Sequence, residues 1–398
     1  MGKRVLLANE AGTGRGHVTT LKVVAQALGP DYTYDAALCL MDHASDIAPL
    51  CDMVFRGAAL GYQPDAMAAR QGRRIGNWAE FLACIGFADE EFLVRQIDWW
   101  VRTIQARQST LVVAEFAPCA MLAARALGVP VISIGQGHST PPAGMARYPA
   151  PADGIAALMV DEADLVDILN RAGKHFGLLP HRYFSDLYRC DAQLMRTIPA
   201  LDPYAAFRVN PTYLPPMGLD CPEAASGDEI FVYFSTVEGD DPAIVEAIAS
   251  IDLPMRVVMA RIEPDLAERL SARGAIIEPA PLPHHQIAAR SRMIVHAGQH
   301  GASSIGLSLG LPHVALPCQS EQTANARCLA DMGVGITFEQ PRSDAPAIAA
   351  AIRQVYADDA MARQARDLSR SLRPVLVGDT PALVRATVDA IFARRAVA

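Results

Sequence analysis

The amino-acid sequence predicts an α/β protein made of two doubly wound, parallel-sheet domains. Two observations carry that expectation. Short apolar strands alternate with helical stretches along the chain, which is the pattern of a parallel sheet covered by helices on both faces. The alternation stops once, between Asp202 and Asp228, where prolines stand at 203, 211, 215, 216 and 222, and then it restarts. A chain of 398 residues agrees with two domains at roughly 150 residues or more each.

In the first half, residues 4–9 read as a strand, 18–28 as a helix, 34–40 as a strand, 77–88 and 90–105 as helices, and 111–116 as a strand. A helix at 119–127 and a strand at 131–134 follow. The Leu-Gly-Val-Pro run at 127–130 ends that helix, because Gly128 suits a left-handed cap and Pro130 cannot continue the helix. The second half repeats the scheme, with strands at 230–234, 255–260, 275–277, 293–295 and 313–316. Its helices fall at 242–251, 265–273, 302–309 and 323–332. The last stretch, 381–394, is amphipathic, with Leu383, Val384, Val388, Ile391 and Phe392 on one side. The expected domains are 1–215 and 216–380, with the helix from 381 to 398 returning to the first. Two such halves imply a cleft, since ligands in open α/β sheets sit outside the carboxyl ends of the strands.

Composition narrows the function. Lys and Arg total 35 against 43 Asp and Glu, a net charge of −8, which disfavours a nucleic-acid partner needing clustered basic charge. No run of about 20 apolar residues suggests a membrane span and no apolar leader follows Met1, so the expected location is cytoplasmic, with a place peripheral to the membrane as the alternative. Arg70, Arg73 and Arg74 form a small basic patch, read as a solvated helix face or as a contact with an anionic acceptor or membrane surface. Eight scattered cysteines show neither disulfide nor zinc spacing.

Three constellations have chemical potential. The turn Ala11-Gly12-Thr13-Gly14-Arg15-Gly16-His17 joins the first strand to the first helix. It lacks the glycine that a dinucleotide fingerprint would need at position 17, and no Gly-Lys-Ser/Thr follows, so it is neither that motif nor a P-loop. What it holds is an imidazole at a strand-to-helix turn, a place for a general base able to accept a proton near neutral pH. Glu115 closes the strand at 111–116, where it can orient His17. The run from His296 through Gly298, Gln299, His300, Gly301 and Ala302 to Ser303 places glycine and small residues at a helix start. Free amides there suit a phosphate.

The ordered set "VHAG…HGASS…GLPHVALPCQSEQTANARCLADMGVG" over 293–335, with "GTGRGHVTTL" near the amino terminus, resembles the GT-B-fold glycosyltransferases. The likeness is to the metal-independent class that uses UDP- or dTDP-sugars on small molecules, sterols and antibiotics. It implies two Rossmann-like domains and an inverting hexosyl transfer to an acceptor hydroxyl. By the resemblance His17 is the general base and Glu115 its partner, where the family usually has Asp. Ser235 and Thr236 lie by the donor phosphates, and Pro283 and His284 by the nucleobase. Glu321 and Gln322 match an Asp-Gln pair that binds sugar hydroxyls, and no cofactor or metal is expected. The absence of any Asp-x-Asp agrees with that expectation. Apart from the resemblance, Gly16 is expected to line the acceptor pocket, with His138 and Ser139, which follow a strand at the cleft and are otherwise simply part of a turn. Two departures stand out: Ala297 replaces a second histidine beside His296, leaving the phosphate contact to His296 or His300, and Ile305 falls where plant-type members place a ribose-binding Glu. The partners implied are a nucleotide sugar and a small-molecule or lipid-like acceptor. A catalytically degenerate nucleotide binder, a sugar epimerase and a lipid-linked sugar transferase of the cell-wall type are the alternatives.

Overall fold

The computed structural model describes residues 3–12, 14–149, 158–216, 227–235, 240–338 and 344–397. They fall into two compact units. The first comprises Met1–Arg196, Tyr204–Leu214 and Asp379–Ala398; the second comprises Thr197–Pro203 and Pro215–Gly378.

In the first unit the order is β1 (Lys3–Asn9), α1 (Arg15–Leu28), β2 (Tyr32–Leu38), β3 (Met53–Arg56), α2 (Pro64–Ala69), α3 (Trp78–Leu82), α4 (Glu90–Arg107), β4 (Leu111–Glu115), α5 (Pro118–Ala126), β5 (Val131–Gly135), α6 (Glu162–Lys174), β6 (Ala192–Arg196) and β7 (Thr212–Leu214). The seven strands are parallel, in the order β3-β2-β1-β4-β5-β6-β7. Period-two alternation splits each central strand between two cores. Leu6 and Ala8 of β1 and Val112 and Ala114 of β4 face α4 and α5, including Ile97, Trp100 and Leu122. Val5, Leu7, Leu111 and Val113 face α1 and the last helix of the chain through Leu21, Val24, Val384, Val388 and Ile391.

The second unit continues with β8 (Glu229–Phe234), α7 (Pro242–Ala249), β9 (Met255–Met259), α8 (Pro264–Ser271), β10 (Ile276–Ile277), α9 (His284–Arg290), β11 (Ser291–His296), α10 (His300–Leu309), β12 (His313–Ala315), α11 (Ser320–Asp331), β13 (Gly335–Thr337), α12 (Ala345–Ala357) and α13 (Asp359–Leu376); α14 (Thr380–Val397) then belongs to the first unit. Its six parallel strands run β10-β9-β8-β11-β12-β13. Both sheets reverse their strand order beside their first strand, at β1/β4 and at β8/β11. The carboxyl ends of those pairs are where a doubly wound sheet leaves a crevice.

Two expected elements differ. The helix expected over 77–88 stops at Leu82, because Gly86 takes φ +119° in a wider turn. A side chain there would meet the Phe92 ring, its Cβ falling 2.3 Å from that ring. Phe116, expected to end a strand, leaves it at φ +45°. The Pro-rich segment also yields β7, a short strand that pairs with β6 and, among the described residues, forms the edge of the sheet.

Candidate functional site

In the first unit the register of β1 on β4 sets Asn9 opposite Glu115, both at the last position of their strands. Glu115 is buried. Asn9 Nδ2 donates to Glu115 Oε2 at 2.9 Å, and His17 Nδ1 lies 2.9 Å from each carboxylate oxygen. With Glu115 as an acceptor, the neutral imidazole would carry its proton on Nδ1 and its lone pair on Nε2. The His17 side chain retains 23% exposure against 3% for Glu115, so the imidazole is the member open to a reactant. Gly12 presses on that ring: at φ +95°, a Cβ on it would come 2.0 Å from His17 Nε2. Only glycine tolerates both the conformation and the contact.

Around the dyad lie groups the sequence reading passed over. Asn9 also binds the Ala11 carbonyl at 2.8 Å and accepts from the Cys39 thiol at 2.9 Å, so one amide ties β1, β4 and the glycine turn together. Its sequence signal is a polar residue ending the otherwise apolar run Val-Leu-Leu-Ala. The buried Arg196 donates to Thr20 of α1 at 2.8 Å. Burial pulls its pKa down to about 10, opposed by the nearby Glu115 charge. Phe116 stands 6.4 Å from His17, ring to ring, and continues into Phe81 at 5.9 Å, then to the exposed Tyr62 at 6.0 Å. Trp78 backs this row, its ring 4.9 Å from Phe81 and its indole N–H held by Tyr188.

Glu10 caps α5, accepting from the amides of Cys119 at 3.0 Å and Ala120 at 2.6 Å. Burial outweighs these bonds and raises its carboxyl to about 8 from an ordinary 4.5. Between those values the folded state holds a proton that the unfolded chain has released, so stability falls as pH rises, by at most about 1.4 kcal/mol per pH unit. Urea denaturation at several pH values between 5 and 8 should show this decline, and Glu10→Gln should remove most of it. Parallel slopes in the two proteins would show that Glu10 is ionised beneath the helix.

In the second unit the expected donor residues follow four strands, Ser235 after β8, Pro283 and His284 after β10, His296 to Ser303 at and after the end of β11, and Glu321 and Gln322 after β12. Gln299 Nε2 donates to the exposed Ser235 hydroxyl at 3.3 Å, bringing the two turns together. α10 starts at His300, and a side chain added at Gly301 would meet nothing within 4 Å. Gly298 has φ +86°, and a Cβ there would lie 2.5 Å from the Gln322 carbonyl oxygen. Its own carbonyl accepts from Asn325 Nδ2 at 3.0 Å. Glu321 is half-buried in the first turn of α11. Pro283 and His284 begin α9. Thr236 lies outside the described residues.

Comparison with known proteins bears on the fold that carries these residues. Residues 245–376 match the family described as "Erythromycin biosynthesis protein CIII-like, C-terminal domain". A PGL/p-HBAD biosynthesis glycosyltransferase of Mycobacterium tuberculosis (strain ATCC 25177 / H37Ra) is 27% identical over 135 residues, which span 34% of this chain and 31% of that protein. The solved spinosyn rhamnosyltransferase SpnG superposes with a TM-score of 0.66 at 18% identity, covering 97% of this chain and all of its own. CalG4, the calicheamicin glycosyltransferase, gives 0.66 at 17% identity and covers 98% of each chain. The chain has the GT-B fold.

Within that GT-B frame several expected contacts are corrected. His296 is wholly buried with both ring nitrogens engaged, Nδ1 by the Gly298 amide and Nε2 by His313, so it has no face for a phosphate. His300 is buried as well and turns Nε2 to Thr197 at 2.8 Å. The Ser303 hydroxyl is enclosed and its amide is spent on the Gln299 carbonyl at 2.9 Å, so the helix's first-turn amides ahead of it are those of His300, Gly301 and Ala302. Gln322 is the closing residue of a capping box: its Oε1 accepts from Cys318 at 2.7 Å and Gln319 at 3.2 Å, so that oxygen is not available to a sugar.

The acceptor side is also refined. Gly16 is exposed with open space above it. His138 sets its ring edge-on to Trp78 at 4.9 Å, and burial pulls its pKa down to about 4, so it is neutral. Ser139 closes its own turn on the Gln136 carbonyl. That turn lies against Gly135, where an added Cβ would be 2.9 Å from the Ser139 hydroxyl and 3.7 Å from Glu115 Oε1. The basic patch is not a free surface at Arg70, which is buried and bonded to Glu80 at 3.0 Å. Among the described residues no helix is long and apolar enough to cross a membrane, and no cluster of three or more His, Cys, Asp or Glu fits a metal.

Proposed function

We propose that the chain is an inverting glycosyltransferase that moves a hexose from a UDP- or dTDP-sugar to a hydroxyl of a small-molecule acceptor, with His17 as general base and without a metal. The observation that carries this reading is the Asn9–Glu115–His17 relay at the carboxyl ends of β1 and β4. His17 Nε2 takes the acceptor proton as the acceptor oxygen attacks the anomeric carbon, and Glu115 stabilises the imidazolium so formed. The leaving nucleoside diphosphate gathers negative charge, which the N-terminal amides of α10 are oriented to receive. Gln299 and Ser235 add polar groups beside them. Ile305 packs among apolar side chains, so no carboxylate meets a ribose 2′-hydroxyl from that position.

Relatives support the reading. SpnG has been solved with thymidine diphosphate and with the spinosyn aglycone, and the mycobacterial relative is named a glycosyltransferase. The row Phe116–Phe81–Tyr62 leading away from the base suits an acceptor with a flat apolar face, since ring surfaces reward such contact.

The test is a thermal-shift panel of dTDP, UDP and GDP, with EDTA present, on the wild type and on Gly301→Asp, whose carboxylate would stand in the open space before α10. One nucleotide stabilising the wild type by RT ln(1 + [L]/Kd), with the shift lost in the variant, supports the donor site and chooses the base. No shift with any of the three refutes the reading.

A further inference from the structure

Two histidines in the second unit have no part in the chemistry above. His296 ends β11 and His313 begins β12, its neighbour in the sheet, and both rings are wholly buried. The Gly298 amide can only donate, and it reaches His296 Nδ1 at 2.9 Å. Nδ1 is therefore the bare nitrogen, and the proton of the neutral ring sits on Nε2. Nε2 lies 2.9 Å from His313 Nδ1, which must accept. Burial holds His296 at a pKa of about 3 and His313 well below its ordinary value, so both rings are neutral across physiological pH and the direction of the bonds does not reverse.

His313 is itself fixed. A Cβ on Gly306 would come 2.2 Å from its Cε1, and one on Gly335 would come 2.9 Å from its Cβ, so these two glycines leave a slot that the histidine fills. At the other end of the chain of bonds, Gly298 sits in a left-handed turn whose carbonyl is tied to Asn325. The next residue, Gln299, is the N-cap of α10, followed by the amides of His300, Gly301 and Ala302.

We propose that His313 is a positioning residue for the donor diphosphate: by accepting from His296 it holds that ring in the tautomer that accepts the Gly298 amide, and so fixes the turn from which Gln299 and the α10 amides are presented. The ligand named rests on the donor-site reading above; the device itself does not. A side chain two bonds removed from any ligand acts here as the outer partners of a metal-bound histidine act, by setting ring orientation and tautomer.

Two variants of the full chain separate this from simple packing. His313→Leu fills a similar space and offers His296 no acceptor, whereas His313→Gln offers a carbonyl oxygen. Amide hydrogen exchange at Gly298 and calorimetric binding of dTDP and UDP are the measurements. The leucine variant should exchange Gly298 at least about tenfold faster and bind the nucleotide about tenfold more weakly, the equivalent of about 1.4 kcal/mol and within the range of one hydrogen bond. The glutamine variant should return both to within about threefold of the wild type. Should His313→Leu not fold, His313→Met replaces it. Unchanged Gly298 protection in the apolar variant, or a glutamine variant as impaired as the apolar one, overturns the proposal. If the wild type binds neither nucleotide, the donor-site reading fails, and Gly298 exchange alone then upholds or overturns the role of His313.

Discussion

On the proposed mechanism, replacing His17 with alanine should lower turnover by about 10²–10⁴-fold and leave nucleoside diphosphate affinity within about twofold of the wild type. The split follows from placement: the imidazole stands in the first turn of α1 in the first unit, and the proposed donor residues belong to the second. Glu115→Gln should show the same split with a smaller loss, because an amide can offer its N–H to Nδ1 and favour the wrong tautomer. Gly12→Ala probes the same atom from the other side, since its methyl group would occupy the space 2.0 Å from Nε2 and displace the ring. Steady-state kinetics with nucleotide binding measured in parallel would decide the matter. Turnover retained in His17→Ala would remove the base assignment, and equal losses in turnover and nucleotide affinity would point to a disturbed fold.

Glu80→Ala should destabilise the first unit by about 3–5 kcal/mol, because it strands a buried guanidinium. Arg70 and Glu80 are exposed by only 4% and 1% and meet at 3.0 Å. Arg70 also binds the carbonyls of Arg73 and Arg74, and Glu80 accepts from the Gly76 amide at 2.8 Å and from the Met159 amide. One ion pair thus ties two loop segments to α3, the helix that carries Trp78 and Phe81. The double variant Arg70→Met/Glu80→Leu should recover much of the loss, since an apolar pair leaves no unpaired charge. Urea denaturation of Arg70→Met, Glu80→Leu and the double closes the cycle. A loss below about 1 kcal/mol in Glu80→Ala would mean that water or another group compensates Arg70.

The sequence by itself determined the doubly wound architecture and the two glycine-containing turns that carry the candidate site residues. Strand alternation, helix periodicity and glycine at sharp strand-to-helix turns are local properties, written within about ten residues of one another. His17 and Glu115 were readable for the same reason: each stands at the end of a recognisable element, and the sheet order then sets them side by side. What only the tertiary structure decided is how the buried polar groups divide the available partners. Asn9 joins Glu115 because β1 and β4 pair in that register, 106 residues apart. Arg70 turns inward because Glu80 is there to receive it. His296 looked like a phosphate ligand in its motif, yet it is consumed by His313, a residue 17 positions on whose ring sits in a slot left by two glycines. Most buried donors and acceptors are paired, though His313 Nε2 is not, and which partner reaches each depends on strand register and helix packing far along the chain.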